Sequence, residues 1–457
     1  MLRGGRLQYP HACAGRLAWG HVGGGPCQQR KENRMTRKPD MTLAMDGGEK
    51  ACKTPWPPRS LFGKEEKQAV SDLFDTYAAV GKEISYNGPE EEAYCKAFAE
   101  YLGGGYADAV NSGTSAVYVA LRALELKAFT EVICPPITDP GGVMPVPLCN
   151  LIPIVADASP GSFNAGPEQI EARINKRTSA ILVAHIAGIP ADMGPLMEIA
   201  RAKNLPVIED VAQSHGATYR GKKVGTLGDI SAFSTMSGKH HATGAQGGVV
   251  FTRSEELYWR ARRYSDRGKP FGLAGTNGNV ACSLNLNLND LSACIGLVQL
   301  TKLPKIVSAR QRAAQRLIDG CKKGLQAVRI VEGLPHSEPS YWFLLAQLDL
   351  DRLTVDKPAF VAALAAEGVP CGASYFHLFT EHDWYRNRAV FHGSGHPWTS
   401  PEYKGNPDRE YPVPNLRKTN EYTFVVSLHE RVTATHANEI LRALKKVEKA
   451  YTLPQSR

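Results

Sequence analysis

The sequence lacks several features that would assign its class directly. Within 457 residues there is no uninterrupted apolar run of about eighteen, the length that a membrane helix requires. The ten cysteines form no CxxC pair and no regular spacing, so neither a zinc site nor a disulfide framework is predicted. No internal repeat is found. We therefore expect a cytoplasmic globular protein with reduced thiols and no membrane partner.

Positive charge is unevenly distributed along the chain. Residues 1–40 carry +6 of the formal net charge of +9, which leaves the rest nearly balanced. No nucleic-acid partner is therefore predicted. The first forty residues lack the apolar core of a secretory signal, and their many glycines and missing serine distinguish them from a transit peptide. We predict a disordered basic tail over residues 1–42, with Met35 or Met41 as alternative starts.

Strands alternate with helices through the first two thirds of the chain. A helical segment over 60–105 precedes short apolar strands such as "EVICPP", "TSAILVAHIAG" and "LPVIEDVAQ", with amphipathic helices between them. This order predicts an α/β fold with a mostly parallel central sheet, over residues 43–300. After it, the long amphipathic helix "LPKIVSARQRAAQRLIDGCKKGL" and further mixed elements predict a smaller C-terminal α+β domain over 301–457.

Polar residues lie where predicted strands end, which is where ligands bind in open parallel sheets. Gly113 and Thr114 begin a helix whose free amides suit a phosphate, although an ordinary helix cap would have the same sequence. Asp210 follows a buried strand and could cap a helix or hold a proton on a ring nitrogen. Gln213, three residues later, could donate to a ring hydroxyl.

The stretch "STMSGKHHATGAQGGVVFT", residues 234–252, places Lys239 between two apolar segments. Alone, it would be interpreted as a solvated surface lysine. In a partly desolvated pocket, however, a lysine loses its proton more readily and can form a Schiff base with a carbonyl. His240 and His241 are adjacent, so they point in different directions, and no third ligand is evident. We therefore predict no metal site.

Three segments together carry a family resemblance: "GKKVGTLGDISAFSTMSGKHHATGAQGGVVFT", "VIEDVAQSHGA" and "VNSGTSAVYVALRAL". They resemble the DegT/StrS-type sugar aminotransferase family, whose members are fold type I enzymes that use pyridoxal 5′-phosphate. The resemblance extends from about Leu43 to about residue 450. It implies an aspartate-aminotransferase-like large domain over 43–300 and pyridoxal phosphate as the cofactor.

The resemblance also implies roles for individual residues. Lys239 is similar to the lysine that binds the cofactor aldehyde, Asp210 to the partner of the pyridinium nitrogen, and Gln213 to the residue near the ring hydroxyl. Asn285 resembles an asparagine that reaches the phosphate from the neighbouring subunit, which implies a homodimer with shared active sites. The complete set of implied cofactor contacts is Gly113, Thr114, Asp210, Gln213, Ser234, Lys239 and Asn285.

Several positions depart from the family pattern. Asp139 stands near the position of an aromatic residue that stacks on the cofactor ring, and Gln246 replaces an acid in a glycine loop that is one residue longer. Arg267 falls where the family has histidine, and Asn287 where it has a basic residue. These departures lie on the substrate side more than on the cofactor side.

The substrate-contact candidates are Arg267, which is one of these departures, and Tyr375 and His377. The last two come from an aromatic stretch, residues 375–398, that either lines the substrate entrance or forms an elaborated surface loop; Trp384 is a further candidate there.

The resemblance predicts transfer of an amino group from glutamate or glutamine to a nucleotide-activated keto-sugar or to a related carbonyl compound. Such a reaction would serve amino-sugar, polysaccharide or secondary-metabolite biosynthesis. Two alternatives stay open. One is a pyridoxal phosphate dehydratase, although the relatives that dehydrate sugars replace the lysine by histidine. The other is a catalytically idle regulator or scaffold, which Asp139 and the altered glycine loop would favour.

Overall fold

The computed structural model describes residues 42–453, and these belong to one compact unit. The predicted basic tail lies outside the described residues. The strands, in chain order, are β1 (Tyr106–Val110), β2 (Glu131–Cys134), β3 (Ile152–Val155), β4 (Thr178–Ala184), β5 (Val207–Asp210), β6 (Thr218–Tyr219), β7 (Lys222–Lys223), β8 (Ile230–Ser234), β9 (Gly248–Thr252), β10 (Val328–Ile330), β11 (Ser337–Glu338), β12 (Leu344–Leu348), β13 (Cys371–Gly372) and β14 (Thr423–Val426).

Helices cover these strands. In chain order they are α1 (Lys64–Ala79), α2 (Pro89–Tyr101), α3 (Gly113–Ala123), α4 (Pro145–Leu148), α5 (Pro167–Glu171), α6 (Met193–Ala202), α7 (Glu255–Ser265), α8 (Asp290–Gly324), α9 (Lys357–Ala366), α10 (Asp383–Arg386), α11 (Pro414–Tyr422) and α12 (Ala434–Tyr451). Within residues 42–453, no helix combines the length and the apolar character needed to cross a membrane.

A seven-stranded sheet forms the centre, with the strand order β1-β9-β8-β5-β4-β2-β3. Neighbouring strands from β8 to β3 pair in parallel, and β9 runs antiparallel to both β1 and β8. Every residue of β2, β3, β5 and β8 is buried, as expected of parallel strands with helices on both faces. The predicted α/β fold class is confirmed. The carboxyl ends of β1, β5 and β8 meet at one edge of this sheet.

A second, antiparallel sheet has the order β10-β12-β14-β13 and packs with α8, α9 and α12 around its own apolar core. The predicted boundary near residue 300 lies inside α8, so the division into 43–300 and 301–457 stays a prediction. The segment predicted as this helix begins at Leu303. The helix begins instead at Asp290, where Asn289 caps it, and Pro304 lies within it.

The aromatic stretch after β13 divides into two parts. Tyr375, at its start, reaches the functional site described below. Farther along, Trp398 and Tyr403 pack on Ile152 and Ile154 of β3, with Trp384 beside them. Side chains of this second part therefore pack on β3, the edge strand of the large sheet. That the stretch lines a substrate entrance stays a prediction.

Candidate functional site

The first turn of α3 lies against the end of β8. Ser112 caps the helix by accepting a hydrogen bond from the Ser115 amide at 3.1 Å. Gly113 approaches so closely that a Cβ there would lie 2.5 Å from the Cβ of Ser234. Amides in a first helical turn have no intrahelical partner. The close approach therefore places free amides next to the Ser234 hydroxyl, an arrangement that suits an anion.

The turn after β2 packs between α3 and the end of β5. A Cβ on Gly141 would lie 2.3 Å from Thr114 Oγ1, and a Cβ on Gly142 would lie 2.8 Å from Asp210 Oδ2. A side chain at either position would displace the Thr114 hydroxyl or the Asp210 carboxylate. Asp139 begins the turn, and its Oδ1 accepts a hydrogen bond from the Gly141 amide at 3.0 Å. Thr114 and Asp210 are thus brought to the same cleft by one tight turn.

Asp210 is buried at the end of β5. Its Oδ1 accepts from the Ala212 amide at 3.0 Å, and its Oδ2 accepts from the Thr138 hydroxyl at 3.4 Å. Burial raises the pKa of this carboxyl, while the Ala212 amide and Lys239 oppose the shift. A buried carboxylate in this setting is stabilised by a positively charged proton donor, such as a protonated ring nitrogen.

Gln213 is held between two parts of the chain. Its Oε1 accepts from the Ala187 amide at 2.8 Å, and its Nε2 donates to the Tyr375 hydroxyl at 2.7 Å. The Tyr375 ring meets the His377 ring edge-on, with centroids 4.9 Å apart. Burial raises the pKa of Tyr375 and lowers that of His377. Two substrate-contact candidates from far along the chain therefore lie beside a predicted cofactor contact.

Lys239 belongs to the connection between β8 and β9, residues 235–247, which we name the lysine turn. It is 6% exposed, and its Nζ lies 3.8 Å from the centre of the Trp342 ring. Burial lowers the pKa of the amine to about 8, against the opposing carboxylates of Asp210 and Asp139. Near neutral pH, a useful fraction of the amine is therefore unprotonated and nucleophilic. Sequence reasoning missed Trp342, whose distance along the chain from Lys239 gave no local signal.

The two histidines of the lysine turn are fully buried. His241 Nε2 lies 2.7 Å from the Tyr94 hydroxyl, and His240 Nε2 donates to the Ser340 carbonyl at 3.1 Å. Burial lowers the pKa of both, that of His241 to about 3, so both rings are neutral. In the described part of the chain, no group of three or more His, Cys, Asp or Glu is arranged to hold a metal ion.

Arg267 and Asn285 lie on the exposed connection between α7 and α8, where the Leu286 carbonyl accepts a hydrogen bond from the Asn111 amide at 2.8 Å. Asn285 forms a β-bridge with Asp266, whose carboxylate pairs with Arg267 at 2.9 Å. Arg267 also donates to the Tyr86 hydroxyl at 2.8 Å, and Asn285 Oδ1 accepts from Asn287 at 2.6 Å. Among residues 42–453, neither side chain forms a hydrogen bond with Lys239 or Asp210. The role of Asn285 as a cofactor contact and that of Arg267 as a substrate contact stay predictions.

Comparisons with known proteins show which family this chain resembles. The model of the DegT/DnrJ/EryC1/StrS aminotransferase family matches residues 63–399. A GDP-perosamine synthase of Caulobacter vibrioides is 38% identical over 223 residues, covering 48% of this chain and 58% of that protein. A GDP-perosamine synthase of Escherichia coli O157:H7 is 33% identical over 255 residues, covering 56% of this chain and 68% of that protein. The chain thus aligns with little more than half the length of the Caulobacter relative.

A solved structure supports the same fold over a longer range. The aminotransferase from Psychrobacter cryohalolentis superposes with a TM-score of 0.75 at 27% identity. The superposition covers 87% of this chain and 99% of that one. The fold of that protein is therefore shared over most of this chain.

Proposed function

This chain belongs to the DegT/DnrJ/EryC1/StrS aminotransferase family, and we propose that it transfers an amino group from glutamate or glutamine to the carbonyl of a nucleotide-linked keto-sugar. The observation that carries the proposal is the buried Lys239 amine, whose pKa is lowered to about 8 beside the Asp210 carboxylate. The choice of a nucleotide-linked sugar rests on the two similar proteins named GDP-perosamine synthase.

The residues of the cleft fit pyridoxal 5′-phosphate. When bound, this cofactor supplies an aldehyde that takes up an amino group and a ring that withdraws electrons from the reacting carbon. The amides of Gly113 and Thr114, with the Ser234 hydroxyl, would bind its phosphate, since Gly113 packs directly against Ser234. Asp210 would accept a hydrogen bond from the protonated ring nitrogen. Gln213, fixed at both ends of its amide, would orient the ring hydroxyl.

Lys239 has two tasks in this proposal. Its unprotonated Nζ would serve as the nucleophile toward the cofactor aldehyde. Once released, the same Nζ would take the proton from the substrate carbon that bears the amino group and would donate it to the former aldehyde carbon. Both tasks need an amine that changes protonation near neutral pH, which burial supplies and the carboxylates of Asp210 and Asp139 moderate. The Trp342 ring limits the directions from which water reaches this amine.

Asp139 stands where an aromatic residue would cover the cofactor ring. It is exposed at the mouth of the cleft, and its charge acts on both Tyr375 and His377. We assign these three side chains to the sugar, because carboxylate, phenol and imidazole groups together can pair with several hydroxyls.

We also propose a homodimer in which the connection between α7 and α8 completes the partner's site. Arg267 and Asn285 are both exposed there. Three large apolar residues on the same connection are also exposed: Leu273, Val280 and Leu284. A cluster of exposed apolar side chains next to polar ones is typical of an interface between subunits.

We place the reaction in the cytoplasm. All eight cysteines in the described part of the chain are unpaired. Three of them are buried in apolar surroundings: Cys134, Cys294 and Cys321. Such thiols persist in a reducing compartment.

The test begins with the cofactor. Purified protein is mixed with pyridoxal phosphate and reduced with borohydride, and mass spectrometry locates the adduct. We expect it on Lys239, with loss of the visible absorbance in Lys239→Ala. An adduct on another lysine, or an equal spectrum in the variant, would overturn the assignment.

A second stage tests the reaction. Glutamate should convert the bound cofactor to pyridoxamine phosphate, and added nucleotide-linked keto-sugars should then gain an amino group by mass. Cofactor binding without the glutamate half-reaction would support the idle alternative. A dehydrated keto product without amino transfer would support the dehydratase.

A further inference from the structure

Three consecutive carbonyl groups of the lysine turn are bound by side chains from distant parts of the chain. Arg59 Nη1 donates to the Ser237 carbonyl at 2.9 Å, and Trp342 Nε1 donates to the Gly238 carbonyl at 2.9 Å. Arg59 Nη2 donates to the carbonyl of Lys239 itself at 2.5 Å. Within the turn, the Lys239 amide donates to the Met236 carbonyl at 2.9 Å. The backbone of Lys239 is therefore held on both sides.

Arg59 is itself held by a carboxylate that two guanidinium groups share. Its Nε donates to Glu430 Oε1 at 2.8 Å. The other oxygen of Glu430 pairs with Arg310 Nη2 at 2.9 Å and accepts from Arg310 Nε at 3.1 Å. The side chains of Arg59 and Glu430 are 19% and 11% exposed, so solvent competes little for these bonds. We name Arg59, Glu430 and Arg310 together the arginine clamp.

The clamp connects back to the surface that Lys239 touches. Arg310 is 1% exposed, and its Nη1 donates to the carbonyls of Tyr341 and Trp342 at 3.1 and 2.9 Å. Trp342 in turn binds the lysine turn through its indole and lies under Lys239 Nζ through its ring. One set of charged side chains therefore fixes both the backbone from which the lysine extends and the ring against which its amine lies.

We propose that the arginine clamp positions the Lys239 amine for reaction, with Arg59 as the positioning residue that acts directly on the lysine turn. The inference rests on the proposed function of Lys239. A lysine side chain has four rotatable bonds and loses substantial entropy when it is ordered. Fixing the backbone of the lysine turn and the Trp342 ring restricts Nζ to a small range of positions. Arg59 has this effect without contacting the amine. Arg59 is therefore not a catalytic residue.

The experiment compares Arg59→Gln and Arg59→Lys with Arg431→Gln, all in the full chain. Arg431 neighbours Glu430 in sequence but is exposed, so it is the matched control. Amide hydrogen exchange is followed in protein without added cofactor, on peptides covering residues 235–247. The informative amides are those of Ser237, which donates to the Ala245 carbonyl at 3.1 Å, and Lys239. Reactivity of Lys239 toward an acylating reagent is measured against pH in the same samples.

We expect the exchange of these amides to become about tenfold faster or more in Arg59→Gln, since bonds from a charged donor are lost. The pH midpoint of Lys239 acylation should rise from about 8 toward 10.5, because a loosened turn admits water to the amine. Arg59→Lys keeps the positive charge, but its three donors share one nitrogen and cannot reproduce the planar fork that bridges two carbonyls and a carboxylate, so its effect should be intermediate. Arg431→Gln should match the unmodified protein.

Unchanged exchange and an unchanged midpoint in folded Arg59→Gln would overturn the proposal. If Arg59→Gln does not fold, Arg59→Lys decides by the same two measurements. Failure of both to fold would assign Arg59 to the fold as a whole and overturn a local positioning role. A borohydride adduct absent from Lys239 in the unmodified protein would end the proposed function, whereas the exchange result concerns the clamp alone.

Discussion

Replacing Lys239 with methionine should stabilise the folded protein at neutral pH, because burial of the amine opposes its charge. The ordinary pKa of 10.5 is lowered to about 8 in the folded chain. Each pKa unit corresponds to about 1.4 kcal/mol, so a shift of this size corresponds to about 3 kcal/mol of destabilisation while the amine is charged in both states. Methionine has a similar length and makes a favourable contact with an aromatic ring, so Trp342 keeps a partner.

The sign of the pH dependence follows from proton binding. Between about pH 8 and 10.5 the unfolded chain holds the lysine proton and the folded chain does not. Unfolding therefore takes up a proton in this window, and the free energy of unfolding rises with pH. The destabilisation is complete below about pH 8 and disappears as the pH approaches 10.5. The advantage of Lys239→Met should decline over the same window.

The assay is urea denaturation of cofactor-free protein at fixed protein concentration, at steps from pH 6 to pH 10. At pH 7 we expect Lys239→Met to unfold with a free energy about 2–3 kcal/mol higher than the unmodified protein. Lys222→Met is the control, because Lys222 is exposed and its replacement should leave the pH profile unchanged. A variant that is less stable at pH 7, or whose difference is constant up to pH 10, would refute the reasoning.

Three further predictions concern the remaining parts of the site. Gly113→Ala should weaken binding of pyridoxal phosphate about tenfold or more, measured by fluorescence titration, because the new Cβ would lie 2.5 Å from the Cβ of Ser234; near-unchanged binding would contradict this packing. Asp139→Asn should move the acidic limb of the pH–rate profile to lower pH, since the Asp139 charge raises the pKa of Lys239; a shift to higher pH would contradict this electrostatic link. Mixing inactive Lys239→Ala and Asn285→Ala proteins and allowing subunit exchange should restore part of the activity, up to about a quarter for random pairing, if each site takes Asn285 from the partner; no restoration would contradict the shared site.

The strands of the large sheet could be predicted because the composition of each short segment indicates a buried strand. Segments such as "EVICPP" and "LPVIEDVAQ" are apolar over the length of one strand, and parallel strands buried on both faces require that composition. Helix α3 was equally clear, because Ser112 and an amphipathic run mark its beginning. Helices α7 and α11 were not assigned. The polar "EELYWRARRYS" of α7 has little apolar surface and depends on contacts with the rest of the fold.

The candidate site was predictable only where residues follow a strand end. Asp210 and Lys239 could be found from position in the chain, because the carboxyl edge of a parallel sheet collects whatever follows its strands. Trp342 and Arg59 could not. Trp342 precedes a strand of the second sheet, and Arg59 precedes the first helix. Their roles arise from long-range packing, which neither composition nor spacing encodes.

The acid at position 139 affects the proton affinity of Lys239. Burial alone would lower the pKa of Lys239 farther, and the carboxylates of Asp210 and Asp139 both oppose that shift. A protonated ring nitrogen bound to Asp210 would partly neutralise that carboxylate and would leave Asp139 as the acid that raises the proton affinity of Lys239. A lysine that must both attack as a free amine and return a proton needs this intermediate affinity. An aromatic residue at position 139 would carry no charge, so it would remove one of the two carboxylates that oppose the lowering of the Lys239 pKa.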